Sequence, residues 1–215
     1  VCSSDLSSVS LSDDGNTVAI GADKNSDNGS TAGQASIYTF DGITWTKKGS
    51  SINGEAQSDR FGYSISISSD GNKVAVGAHQ NDGSSNIANC GHVRVYEWKE
   101  NDWAQMGDDI DGDAAFDFAG SSVALSGNGN MVAVGSYLSD FNGKVDSGHV
   151  RIYRWNEGST SWIEQGSAIA GNLANDYLGT SVALSYDGMW VIVGAPNDDD
   201  GGYATVYEFS QSSRL

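Results

Sequence analysis

Hydrophobic and polar positions alternate in short runs along this chain, and the runs recur. "SVALS" at 122–126 places Val123 and Leu125 on one side of an extended strand. Related runs stand at 8 ("SVSLS"), 64 ("SISIS") and 181 ("SVALS"). Each is followed by a pair that tolerates the positive φ of a tight hairpin: Asp14-Gly15, Asp70-Gly71, Asn128-Gly129 and Asp187-Gly188. A second strand, "VAVGA" or a close variant, comes next, and then a loop of variable length ending in Gly. The third strand reads "GQASIYTF" at 33, "GHVRVYEW" at 91, "GHVRIYRW" at 148 and "GYATVYEF" at 202. A fourth is expected as one strand: "WTKKGSSING" at 45, "WAQMGDDIDG" at 103 and "WIEQGSAIAG" at 162. No window sustains the i, i+3, i+4, i+7 pattern of a helix, and no apolar run approaches the length of a membrane span.

The first strands start at 8, 64, 122 and 181, so the repeat is 56, 58 and 59 residues long. A β-sandwich uses strands at this density but needs no repetition. Four antiparallel strands per repeat predict an all-β chain built as a β-propeller of four-stranded blades. The expected units are 8–63, 64–121, 122–180 and 181–215, about 3.6 repeats against the four to eight blades of closed propellers. The last unit stops before its fourth strand, so residues 7–215 read as a partial propeller. Residues 1–6, "VCSSDL", look like a translated sequencing adapter and are set apart as non-native, and the chain is read as a piece of a longer gene.

Composition narrows the function classes. Glycine supplies 28 of 215 residues and proline one, which fits many tight turns without low complexity. A net charge of −17 argues against nucleic acid as a partner, because phosphates would be repelled. Two cysteines, Cys2 and Cys90, make no disulfide framework.

The units resemble FG-GAP repeats, the blades of integrin-alpha-type propellers. The motif stands as Phe61-Gly62 with Gly77-Ala78 and as Leu178-Gly179 with Gly194-Ala195-Pro196; the third unit departs from it with Ala119-Gly120 and Gly135-Ser136. The pattern is also similar to tandem-repeat surface proteins of marine bacteria and algae. The resemblance implies an extracellular or cell-surface protein that works by binding or adhesion, with a protein or a carbohydrate as ligand. Many such repeats carry a calcium loop in the first hairpin. Here that hairpin is shortened, and Asn128 stands where one unit would need a carboxylate, so this site is not carried over.

Residues repeated in every unit are expected to serve the fold. Asp59, Asp117 and Asp176 recur at spacings of 58 and 59 and fit acceptors of turn N–H groups. His92 and His149 share their slot with Gln34 and Tyr203, which asks for a hydrogen-bonding side chain rather than a zinc ligand. Calcium candidates are confined to Asp23, Asn25 and Asp27, at alternate positions, and to Asp198 and Asp200; no cofactor is expected beyond these. No triad, nucleophile elbow or P-loop is present, so no catalytic residue is assigned. The loops at 23–33, 79–90, 137–147 and 196–201 vary in length and content on a constant scaffold, as recognition loops do. His79, Tyr137 and Phe141 are the ligand-contacting candidates within them. The competing expectations are a propeller-based hydrolase or lyase with its catalytic groups elsewhere in the protein, and a structural array with no specific ligand.

Overall fold

A computed structural model describes residues 5–197 and 201–209. Eighteen strands form four antiparallel sheets, with one 3-10 turn at Phe141–Gly143 and no α-helix among the described residues. The first sheet holds β1 (Ser8–Leu11), β2 (Thr17–Ala22), β3 (Gln34–Phe40), β4 (Trp45–Lys47) and β5 (Ile52–Asn53). The second holds β6 (Ser64–Ile67), β7 (Lys73–Ala78), β8 (His92–Lys99), β9 (Asp102–Gln105) and β10 (Ile110–Asp111). The third holds β11 (Ser122–Leu125), β12 (Met131–Ser136), β13 (His149–Asn156), β14 (Ser161–Glu164) and β15 (Ile169–Ala170). The fourth holds β16 (Ser181–Leu184), β17 (Trp190–Ala195) and β18 (Tyr203–Glu208).

The single fourth strand expected from the sequence is broken in two. β9 and β10 both pair with β8, but Tyr96 faces Gln105 while Val93 faces Ile110, so the outer strand carries two extra residues. The break falls at a glycine of positive φ, namely Gly49, Gly107 and Gly166 in the three complete sheets. Such a bulge kinks the edge strand and interrupts its ladder. In each hairpin the Asp or Asn side chain is occupied by the turn itself. Asp70 Oδ1 accepts from Ser68 Oγ at 2.6 Å and from the N–H of Asn72 at 3.0 Å, and Asn128 takes the same pair of bonds.

Each sheet buries one face against the next, in three apolar clusters. Where first strands meet, the contact is made by glycine and serine. Gly62 N–H donates to Gly77 O within its own sheet at 3.0 Å, and Gly62 O accepts Ser8 Oγ of the preceding sheet at 2.8 Å. Gly120 and Gly179 repeat both bonds, with Ser64 and Ser122 as donors. The sheet-to-sheet joint therefore sets the Phe-Gly half of one unit against the Gly-Ala half of the unit before it, as Gly62 against Gly21 and Gly120 against Gly77. In the third sheet Ala119 fills the slot of Phe61 and Leu178, and a water-sized gap lies beside it, next to Tyr153.

Candidate binding rim

The turns into β6, β11 and β16 are held by Asp59, Asp117 and Asp176, whose carboxylates accept the N–H of Ala56, Ala114 and Leu173 at 2.8, 3.1 and 2.8 Å. The residue after each aspartate sits at positive φ: Arg60 (62°), Phe118 (56°) and Tyr177 (54°). A left-handed backbone suits Gly or Asn and is strained for bulky side chains. These large side chains are therefore set at one end of the first strands against local preference.

At the same end, the residue following the Gly-Ala or Gly-Ser pair is Asp23, His79 or Tyr137. The two slots interleave across successive sheets. Asp23 pairs with Arg60 at 3.2 Å. Tyr63 stacks on His79 with ring centroids 3.8 Å apart, His79 lies 5.8 Å from Phe118, Phe118 6.3 Å from Tyr137, and Tyr137 6.4 Å from Tyr177. An aromatic row thus crosses three sheets along one rim. An open cleft of about 370 Å³ adjoins its start, with Asp23, Arg60, Tyr63 and His79 in its wall.

His79 is 7% exposed and forms the floor of the row. Burial, and then the nearby Arg60 charge, hold its pKa down to about 4, so it is neutral at physiological pH. Tyr137 is shifted upward by burial and by its closeness to Tyr63. The phenol hydroxyls of Tyr63, Tyr137 and Tyr177 have no hydrogen-bond partner among the described residues, whereas Tyr203 Oη, outside the row, donates to Asp176.

Of the residues singled out in the sequence, His79 and Tyr137 come together in this row, with Phe118 between them. Phe141 does not join them: its loop folds back and the ring packs 4.8 Å from His149. Tyr63, Phe118 and Tyr177 were not singled out, because they flank a repeated aspartate and glycine that serve the fold. The signal at Phe118 and Tyr177 was the change of residue type within their slot, Arg to Phe to Tyr, while Tyr63 shares its slot with Ser121 and Thr180. Asp23, Asn25 and Asp27 are engaged internally, Asp23 with Arg60 and Asp27 with Gln34 and Asn25. Asp198 and Asp200 lie outside the described residues, as does Cys2. Cys90 is buried, and burial followed by Asp111 pushes its thiol to about 11, which leaves it a packing residue.

One histidine–carboxylate group has metal-like proximity. Glu55, His92 and Asp109 bring ligand atoms within 4.8 Å of one another. Arg94 occupies the space a cation would need, bonding Asp109 through Nε at 2.7 Å and both carboxylates through one terminal nitrogen. In the next sheet Arg151 bridges Asp113 and Glu164 through separate terminal nitrogens. Each arginine thus joins a carboxylate of its own sheet to one from the preceding sheet, Glu55 or Asp113.

The comparisons agree with this architecture. The family model described as FG-GAP repeat matches residues 53–96 and 162–209. Among solved structures, Kuenenia stuttgartiensis hydrazine synthase superposes with a TM-score of 0.60 at 13% identity, over 95% of this chain and 46% of that one. A putative 6-phosphogluconolactonase from Bacteroides uniformis gives 0.63 at 12% identity, over 98% and 52%. The chain therefore spans about half the length of these structures, and at such identity the likeness is one of fold. A search of curated proteins finds no match. The fold is an all-β propeller. Its sheets are propeller blades, and the chain carries FG-GAP repeats.

Proposed function

We propose that this chain is the binding part of an extracellular or cell-surface protein, and that its ligand meets the rim bearing the aromatic row. One observation carries the reading: groups repeated in every blade are consumed by the fold, whereas the groups that vary from blade to blade converge at this rim. The serines bond the next blade and the turn aspartates bond backbone N–H groups. Arg60, Phe118 and Tyr177, by contrast, stand at strained backbone positions that the fold alone would fill with Gly or Asn. FG-GAP repeats support a surface location and an adhesive role. In this reading the rim offers ring faces and hydroxyls to a ligand, while the carboxylates of Asp109 and Glu164 are occupied by arginine.

The test is to probe arrays of immobilised glycans and matrix proteins with the chain, and with a variant whose 79–90 and 137–147 loops are exchanged for those of an unrelated blade. Wild type should bind at least one arrayed ligand, and the exchange should remove that binding while circular dichroism and melting stay unchanged. Binding that survives the exchange moves the site off this rim.

A further inference from the structure

We infer that the row Tyr63–His79–Phe118–Tyr137–Tyr177 is a binding site for a neutral saccharide chain; the inference rests on the proposed binding role and names the ligand class. Three features of the row argue for this chemistry. First, the rings from His79 to Tyr177 follow one another at 5.8 to 6.4 Å, tilted by 38° to 59°, so they form a stepped platform rather than a closed core. Linked pyranose rings present apolar C–H faces at a comparable repeat, and aromatic faces take such surfaces. Second, three phenol hydroxyls border the platform with no described partner, and each is both a donor and an acceptor. Sugar hydroxyls need the same dual capacity. Tyrosine also supplies this mixed contact at small entropic cost.

Third, the platform is electrically quiet on a strongly acidic protein. Arg60 is neutralised by Asp23 at 3.2 Å, and His79 carries no charge. The net charge of −17 repels an anionic polymer from the whole molecule. A cationic ligand would find better partners in the carboxylates elsewhere. A neutral, hydroxyl-rich ligand is the class that gains most on this row.

The experiment uses the full chain and defined probes: hexaoses of β-1,4-glucan, β-1,4-xylan, β-1,4-mannan and α-1,4-glucan, with an oligogalacturonide as charged control. Binding is read by saturation-transfer NMR and calorimetry. At least one neutral hexaose should bind with a Kd of about 1 mM or tighter, and the oligogalacturonide should not. Phe118→Asn removes the central ring at a backbone position that favours Asn, so the variant should melt at or above the wild-type temperature while losing at least about tenfold in affinity. Tyr137→Phe, which deletes one hydroxyl, should lose severalfold, and Phe141→Ala should bind as wild type. Silence from all four neutral hexaoses overturns the inference, and so does binding unchanged by Phe118→Asn or stronger binding of the charged control. If the hexaoses are silent yet an arrayed protein is captured and lost on loop exchange, the saccharide site fails and the binding role stands. Loss of both results removes both.

Discussion

At Gly77 an added Cβ would lie 2.1 Å from the carbonyl oxygen of Gly120 in the next blade, a distance no side chain can occupy. Gly77→Ala should therefore cost about 3 kcal/mol or more of stability in urea denaturation. Gly194 fills the same slot in the fourth sheet, where the nearest obstacle is the rotatable Ser181 hydroxyl. Gly194→Ala should cost about 1 kcal/mol or less, and equal losses at the two sites would refute the joint described here. Asp117 is 4% exposed and its carboxylate holds the Ala114 N–H; Asp117→Ala should cost about 1 to 3 kcal/mol by leaving that donor unpaired. The histidines set a pH dependence. Burial, the largest cause, lowers His79, His92 and His149 from 6.5 to about 4, with Arg60, Arg94 and Arg151 adding to it. The unfolded chain then binds protons in this window that the folded chain refuses. Stability is full above pH 6.5 and falls toward pH 4, by about 1.4 kcal/mol per pH unit for each histidine. Asp59 and Asp117, raised by burial, work in the opposite sense near the bottom of the window, while Glu55 and Asp109, held low against burial by their bonds to Arg94, reinforce the loss there. His149→Gln should flatten the slope by about a third between pH 6.5 and 4.5, since Gln34 already occupies this slot in the first blade. An unchanged slope would mean that His149 titrates normally.

Strands one to three of each blade and their hairpins were legible in the sequence, because alternation and Asp-Gly pairs are local signals. The outer strand was not, since "QMGDD" carries no visible mark that Gly107 adopts a φ of 71° and shifts the pairing by two residues. That bulge has a purpose in packing. It aims the backbone carbonyls of Lys48 and Met106 at the next blade, where the indole N–H groups of Trp103 and Trp162 donate to them, each at 2.8 Å. Trp162→Phe should cost about 1 kcal/mol through loss of this bond, read by thermal melting, and Trp103→Phe should match it. The candidate site was half legible for a related reason. His79 and Tyr137 are distinctive within their loops, but the row is joined across blades by Phe118, 39 positions from His79, and Tyr177, 40 positions from Tyr137, through contacts that exist only when blades stack. Phe141 shared their loops yet turned away, because the short 3-10 turn at 141–143 redirects the chain.

The two terminal sheets of the described structure leave complementary apolar faces open. Val9 (69% exposed) and Leu11 (55%) hold the slots that Ile65 and Ile67 fill inside the first interface, while Ile192 (44%) and Val206 (56%) hold those of Ala19 and Ile37. Each open face thus repeats one side of an interface the molecule already makes. The 215-residue chain alone should self-associate head to tail, with an apparent mass that rises with concentration in light scattering or sedimentation. A monodisperse monomer across the micromolar range would contradict this. Specificity within the stack has a charged component too, as Glu55 meets Arg94 and Asp113 meets Arg151, whereas the corresponding slots at the third interface hold Asn172 and Thr205. The glycine joint has a consequence for shape. Neighbouring blades touch through bare backbone at their inner edge and through indole rings at their outer edge, with Trp98 and Trp103 against Lys48 and Gly49. Each blade is therefore a wedge, thin at the axis and thick at the periphery, and the taper is set by two side-chain sizes. Curvature in this molecule is a property of residue volume, and a change in the outer indole rings would alter the angle at which successive blades fan out without touching the chemistry of the rim.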